Sequence, residues 1–106
     1  MSEDGVCWEI VVSKARAGAA REQIVDLGRK IQAWAREQPG FLGRHLVEDA
    51  EKGTWIDVVT WRSEADARRA ADAMETSPCA ADARALLDER SISIFHGRAV
   101  SVEPTR

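Results

Sequence analysis

Tyrosine and asparagine are absent from this sequence. No phenolic acid and no asparagine carboxamide can therefore take part in any mechanism it supports. Cysteine is scarce: Cys7 and Cys79 are too few for a disulfide framework and lack metal-ligand spacing. No metal site and no cofactor is expected, and the thiols suit a reducing, cytoplasmic compartment. Long apolar runs are also missing. Stretches such as Ile10-Val11-Val12 fall far short of the roughly 18 residues of a spanning helix, so no membrane is expected. Nor does one sign of charge dominate: 15 Lys and Arg oppose 18 Asp and Glu, for a net charge of -3, with both signs mixed along the chain. That mixture writes no basic face for nucleic acid. The opening Met1-Ser2-Glu3-Asp4-Gly5 is acidic and lacks the basic-then-apolar order of a signal peptide, so export is not expected.

What is present is a globular composition, with 44% apolar and 31% charged residues over 106 positions, which fits one domain over residues 1–106. Val6 to Ser13 alternates with apolar residues in both registers, the pattern of a strand covered on both faces. From about Gly18 the period changes, and Ala20, Ile24, Leu27, Ile31 and Trp34 recur at helical spacing opposite a charged face. Arg16, Arg21, Arg29 and Arg36 are interleaved with acids there, as on a solvated helix face. Pro39-Gly40 ends this helix. Phe41 to Glu48 and Thr54 to Trp61 read as two strands of a hairpin, separated by the polar Asp49 to Gly53. Ser63-x-x-Asp66 resembles a capping box opening a helix. Ser77-Pro78 starts another, running to about Glu89. Ser91 to Val102 alternates as a fourth strand, giving a core of about residues 6–102.

The order is βαββαβ. Short, right-handed connections make it an α+β ferredoxin-like sandwich, with helices on one face of a four-stranded antiparallel sheet and the first and third strands central. The helices cover one face only, yet both faces carry apolar residues: Trp8, Ile10 and Val12 on one, Cys7 and Val11 on the other. A second copy of the chain is the economical cover, as a homodimer with two sheets face to face.

Several short motifs accompany this order: Pro39-Gly40-Phe41 after the long helix, Asp57-x-x-x-Trp61, Ser63-x-x-x-Ala67, Ser77-Pro78 and His96-Gly97. Together they resemble the antibiotic biosynthesis monooxygenase superfamily of dimeric α/β barrels, over nearly the whole chain. The resemblance implies a homodimer with a cavity between sheet and helices in each subunit. It also implies cofactor-independent oxygenation of a small aromatic or polyketide-like molecule. The haem-degrading branch uses an Asn, a Trp and an axial helix His. Here there is no Asn, and Pro78 to Glu89 holds no His, so haem degradation is disfavoured. Of the Asn, Tyr, Trp and Arg that hold substrate in the oxygenases, only Trp and Arg are available. A non-catalytic ligand-binding or purely structural homodimer therefore stays open, as does a cyclase or isomerase.

The candidate site follows from the hairpin. A turn centred near Glu51 pairs His45 with Asp57, Phe41 with Trp61 and Val47 with Trp55. A carboxylate beside an imidazole fixes its tautomer, so His45 is the candidate base and Asp57 its partner. The plainer alternative is a cross-strand polar pair that only stabilises the sheet. Trp61 is the candidate wall for a planar substrate, with Phe41 beside it. His96 is a second candidate acid or base, and Arg98 a candidate holder of an anionic oxygen, on one face of the last strand. Trp34 reads as core, and Trp8 and Trp55 as candidates for the dimer face. Cys79 sits where a helix dipole favours a thiolate, but an inert small residue explains it as well.

Overall fold

The computed structural model describes residues 5–101 and residue 103. The chain runs β1 (Cys7–Lys14), α1 (Arg21–Ala35), β2 (Phe41–Asp49), β3 (Thr54–Trp61), α2 (Glu64–Met74), α3 (Ala80–Leu86), a 3-10 turn (Glu89–Ser91) and β4 (Ser93–Gly97). The sheet order is β2-β3-β1-β4, antiparallel at every pairing, so β1 and β3 are central as expected. The α1 crossover carries the chain from β1 past β3 to the far edge, where the polar hairpin returns it.

Local chemistry sets the boundaries. Helix α1 begins at Arg21 rather than near Gly18, because Gly18 turns the chain at φ 91° and the Gln23 side chain accepts from Ala20 N–H at 2.8 Å. At α2 the Ser63 hydroxyl accepts from Asp66 N–H at 3.1 Å, the expected N-cap. Two boundaries differ from expectation for the same physical reason, competition from β1. Helix α3 stops at Leu86 instead of Glu89. Leu86 O accepts from Arg16 N–H at 2.8 Å and Asp88 N–H donates to Lys14 O at 2.9 Å, which draws the chain out of the helix. Strand β4 spans only Ser93–Gly97. Ser91 is held in the 3-10 turn, its hydroxyl accepting from Lys14 N–H at 2.9 Å, and the ladder ends where Gly97 pairs with Trp8. Val102, the expected end of that strand, lies outside the described residues. The Ser77 start is also refined: its hydroxyl accepts from Cys79 N–H, and the helix proper opens three residues on, at Ala80.

The core lies between the sheet and the helices, where Cys7, Val59, Trp61, Ala67 and Ala70 pack together with Trp34 and Phe41 against them. The small face of α2 is what lets Trp61 fit beneath it. Gly40 fixes the corner between α1 and β2. It adopts φ 84°, its carbonyl accepts from Arg62 N–H at 2.7 Å, and a Cβ there would run into the buried Asp66 carboxylate. Gly40→Ala is therefore expected to lower stability by about 2 kcal/mol or more, through left-handed strain plus the clash. Urea unfolding of the two proteins measures it, and an unchanged midpoint would refute the account.

Candidate functional site

The geometry of the site begins with a β-bulge. Phe41 pairs with Trp61, but the next pair is Gly43 with Thr60, so Leu42 is an extra residue in β2. Beyond it the register is shifted by one: His45 faces Val58 and Asp57 faces Leu46. A shift of one residue inverts the face of every side chain that follows. His45 is therefore exposed on the side of the sheet away from the helices, while Asp57 points toward them. The expected His45–Asp57 dyad does not exist. The residue the bulge turns inward instead is Arg44.

Arg44 and Asp57 form an ion pair, Nη2 to Oδ2 at 2.8 Å, with their side chains 4% and 19% exposed. The guanidinium also donates through Nη1 to Gly28 O at 3.0 Å and Gln32 Oε1 at 3.4 Å, tying β2 and β3 to α1. Gly28 makes room for Leu46 of β2 beside this contact, since a Cβ there would press on that side chain. Arg44 Nε and Asp57 Oδ1 are buried with no protein partner. Burial pushes the Asp57 carboxyl above its usual range. Arg44 pulls it down without cancelling that effect, and the Glu9 carboxylate nearby adds to the rise.

Both residues line a cavity of about 220 Å³ between the sheet and the helices. Its walls are apolar, with Trp34, Trp55 and Trp61, Ile24, Leu27, Ile31 and Met74, and its polar side chains are Glu9, Ser13, Arg44 and Asp57. An engineered apolar cavity of about 150 Å³ takes up benzene, so this volume suits a molecule of one or two aromatic rings. Trp61 lines the cavity. Its indole N–H donates to Glu9 Oε1 at 3.0 Å, and Phe41 braces it edge-on with ring centroids 5.8 Å apart. Phe41 thus supports the wall from behind and is not among the lining residues. His96 meets Glu9, Nε2 to Oε2 at 2.9 Å, at the edge of the same region. Arg98 follows the last ladder residue, exposed and outside the cavity. Trp55, a candidate for the dimer face, is instead buried on the helix side, because residues 55, 57, 59 and 61 share one face of β3. Trp8 does lie on the open face, 40% exposed.

Sequence reasoning passed over Glu9 and Arg44. Glu9 sits between Cys7 and Val11 on an inward face, and that apolar setting is the signal that marks it as buried. Both cysteines are buried and free. Burial pushes the Cys7 thiol up, away from reactive thiolate. Among the described residues no three His, Cys, Asp or Glu side chains are grouped to hold a metal ion, and no helix is long and apolar enough to cross a membrane.

No protein-family model and no curated protein matches the chain. Solved structures do. The chain is similar to SnoaB, a cofactor-independent oxygenase from Streptomyces nogalater, with a TM-score of 0.77 at 20% identity over 96% of this chain and 99% of that one. It is similar to a Nitrosomonas europaea protein provisionally assigned as an antibiotic biosynthesis monooxygenase, with a TM-score of 0.71 at 10% identity over 94% and 95% of the two chains. A hydroxynitrile lyase from Passiflora edulis shares the fold too, with a TM-score of 0.67 at 16% identity over 95% and 99%. At these identities the likeness speaks for the fold, which is the ferredoxin-like α+β fold of the antibiotic biosynthesis monooxygenase type that the motifs of the sequence led us to expect.

Proposed function

We propose that this protein is a cofactor-independent monooxygenase acting on a small hydroxylated aromatic molecule of one or two rings. The observation that carries the proposal is the buried Arg44–Asp57 pair in the wall of an otherwise apolar, tryptophan-lined cavity. When a bound phenol gives its proton to Asp57, the negative charge moves from the carboxylate to the ligand, and Arg44 then pairs with the ligand's oxyanion. The buried charge count is unchanged, so the exchange avoids the cost of creating a new ion in a low-dielectric site. The raised proton affinity of Asp57 favours the same transfer. An electron-rich phenolate reacts with dioxygen at its para carbon. The resulting hydroperoxide loses the para hydrogen as a proton while its O–O bond breaks, leaving a carbonyl and releasing water. With 1-naphthol the balance is one naphthol and one dioxygen to one 1,4-naphthoquinone and one water.

The test is oxygen uptake matched to quinone formation with 1-naphthol as probe. Asp57→Asn keeps the shape but cannot accept the proton, and turnover is expected to fall by about 10², the usual scale for a general base. Equal rates in the two proteins would sink the proposal. The hydroxynitrile lyase among the similar structures favours a second reading, a lyase or isomerase that uses the same carboxylate without oxygen. Proton exchange into a bound ligand with no oxygen uptake would select it.

We further propose that the working form is a homodimer. The sheet face away from the helices carries Trp8, Ile10, Val12, Val47, Ile56, Val58 and Phe95, of which Trp8, Val47 and Phe95 are well exposed in a single chain. A continuous apolar surface of this kind on a small protein marks a protein contact.

A further inference from the structure

A second carboxylate stands in the cavity wall, and the phenol ionisation does not use it. Glu9 is buried on β1, diagonal to Asp57 across the β1–β3 ladder. The surroundings of the two acids differ in kind. Asp57 faces a permanent cation, whereas Glu9 faces an indole N–H and an imidazole, whose proton count can change. A glutamine would anchor the Trp61 N–H equally well, so anchoring alone does not explain a buried carboxyl. His96 belongs to the edge strand β4 and does not line the cavity, whereas Glu9 on central β1 does, each side chain being 12% exposed. The Glu9–His96 pair therefore runs from the cavity wall to the edge of the sheet.

We propose that Glu9 and His96 form the proton port of the cavity, the route by which a proton displaced from a bound hydroxylated ligand reaches bulk water and by which one returns. The proton that Asp57 takes from the ligand passes on to the neighbouring Glu9, then from Oε2 to Nε2 of a neutral His96 ring, while the ring releases its Nδ1 proton to water. Each transfer moves one proton, and the reverse order supplies one. Glu9 is the member of the port that lines the cavity, and His96 acts through it. The port serves the ionisation proposed above but exchanges protons whether or not oxygen reacts. Other titratable and charged groups surround it: Asp57 from β3, with Arg44 of β2 beyond, and the neutral Cys7 thiol from its own strand, with Glu64 and Arg68 of α2 acting on that thiol.

Two measurements test the port. The first needs no ligand. Because Trp61 donates to Glu9, its indole N–H resonance is expected to move with pH together with the His96 ring signals, and to stop moving in His96→Gln. A Trp61 resonance indifferent to pH in the wild-type protein overturns the proposal. The second uses 1-naphthol turnover. His96→Ala is expected to lose at least tenfold in rate and to regain it in proportion to added imidazole, but not added Tris at equal ionic strength. A wild-type rate in His96→Ala, or a loss that imidazole leaves untouched while circular dichroism is unchanged, refutes the port. Glu9→Gln, nearly isosteric, should show the loss without rescue. Asp57→Asn separates the two proposals: its indifference defeats the phenol ionisation, whereas the Trp61 titration and the imidazole rescue judge the port.

Discussion

Replacing Arg44 by leucine is expected to cost about 3–5 kcal/mol of stability at neutral pH, the scale for stranding one member of a buried ion pair. The size follows from burial, since the Arg44 side chain is 4% and that of Asp57 19% exposed, so little water remains to replace the guanidinium. Two contacts that tie β2 to α1, at Gly28 O and Gln32 Oε1, disappear with it. The pH dependence identifies the cause. Burial already raises the Asp57 carboxyl above its unfolded value, and without the opposing pull of Arg44 it rises further. A carboxyl whose folded pKa is raised lowers stability as pH climbs from its unfolded value through its folded one. The deficit of Arg44→Leu should therefore be largest at neutral pH and shrink in mild acid, where the folded protein carries Asp57 protonated. Asp57→Asn strands a cation that acid cannot neutralise, so its deficit should not shrink. The double variant Arg44→Leu/Asp57→Leu should recover most of the loss, because no charge remains uncompensated. Urea midpoints at the two pH values decide the matter, and a deficit independent of pH in Arg44→Leu would rule out the stranded carboxylate as its source.

The pair also marks the limit of what the sequence discloses. Element order and sheet topology are legible because they rest on long patterns: the helical recurrence from Ile24 to Trp34, the Pro39-Gly40 stop, and the polar turn between two apolar strands. The face of a side chain near a bulge is not legible in that way. The pairing of Phe41 with Trp61, read from the hairpin, is correct, and the single extra residue Leu42 then reverses everything from Gly43 onward. The only local cue is Gly43 itself, a residue that weakens a regular strand and often accompanies a bulge. His45 and Arg44 thus exchanged roles over one position of parity. Glu9 escaped for another reason. Its partners Trp61 and His96 stand 52 and 87 residues away, and no local spacing joins them. The end of α3 was misplaced where Lys14 and Arg16 captured backbone groups that helical periodicity assigned to that helix. In the last two cases a long-range contact decided a position that the local pattern left free.

The proposed homodimer makes the other large effect, expected in Trp8→Glu. Trp8 sits on central strand β1 between Thr60 and Gly97, in the middle of the open face, with Ile10, Val12, Val58 and Phe95 around it. A two-fold axis brings each residue of such a face near its own copy or a symmetry-related neighbour, so one substitution enters the interface twice. Two tryptophans leave it and two carboxylates enter, which removes apolar burial and adds like charge at a desolvated contact. Like charges so placed cost several kcal/mol, enough to raise the dissociation constant by about 10³ or more. The wild-type protein is expected to sediment at twice its chain mass of 11.7 kDa, and Trp8→Glu at the single-chain mass at the same concentration. The helix side of the sheet is untouched by this change, so the Arg44–Asp57 pair and the cavity should survive in whatever folded monomer remains. Because separation exposes the apolar face, the wild-type melting temperature should rise with protein concentration, and that of the variant should not. A wild-type protein that sediments as a folded monomer at micromolar concentration would remove the dimer, and the apolar sheet face would then call for a different partner.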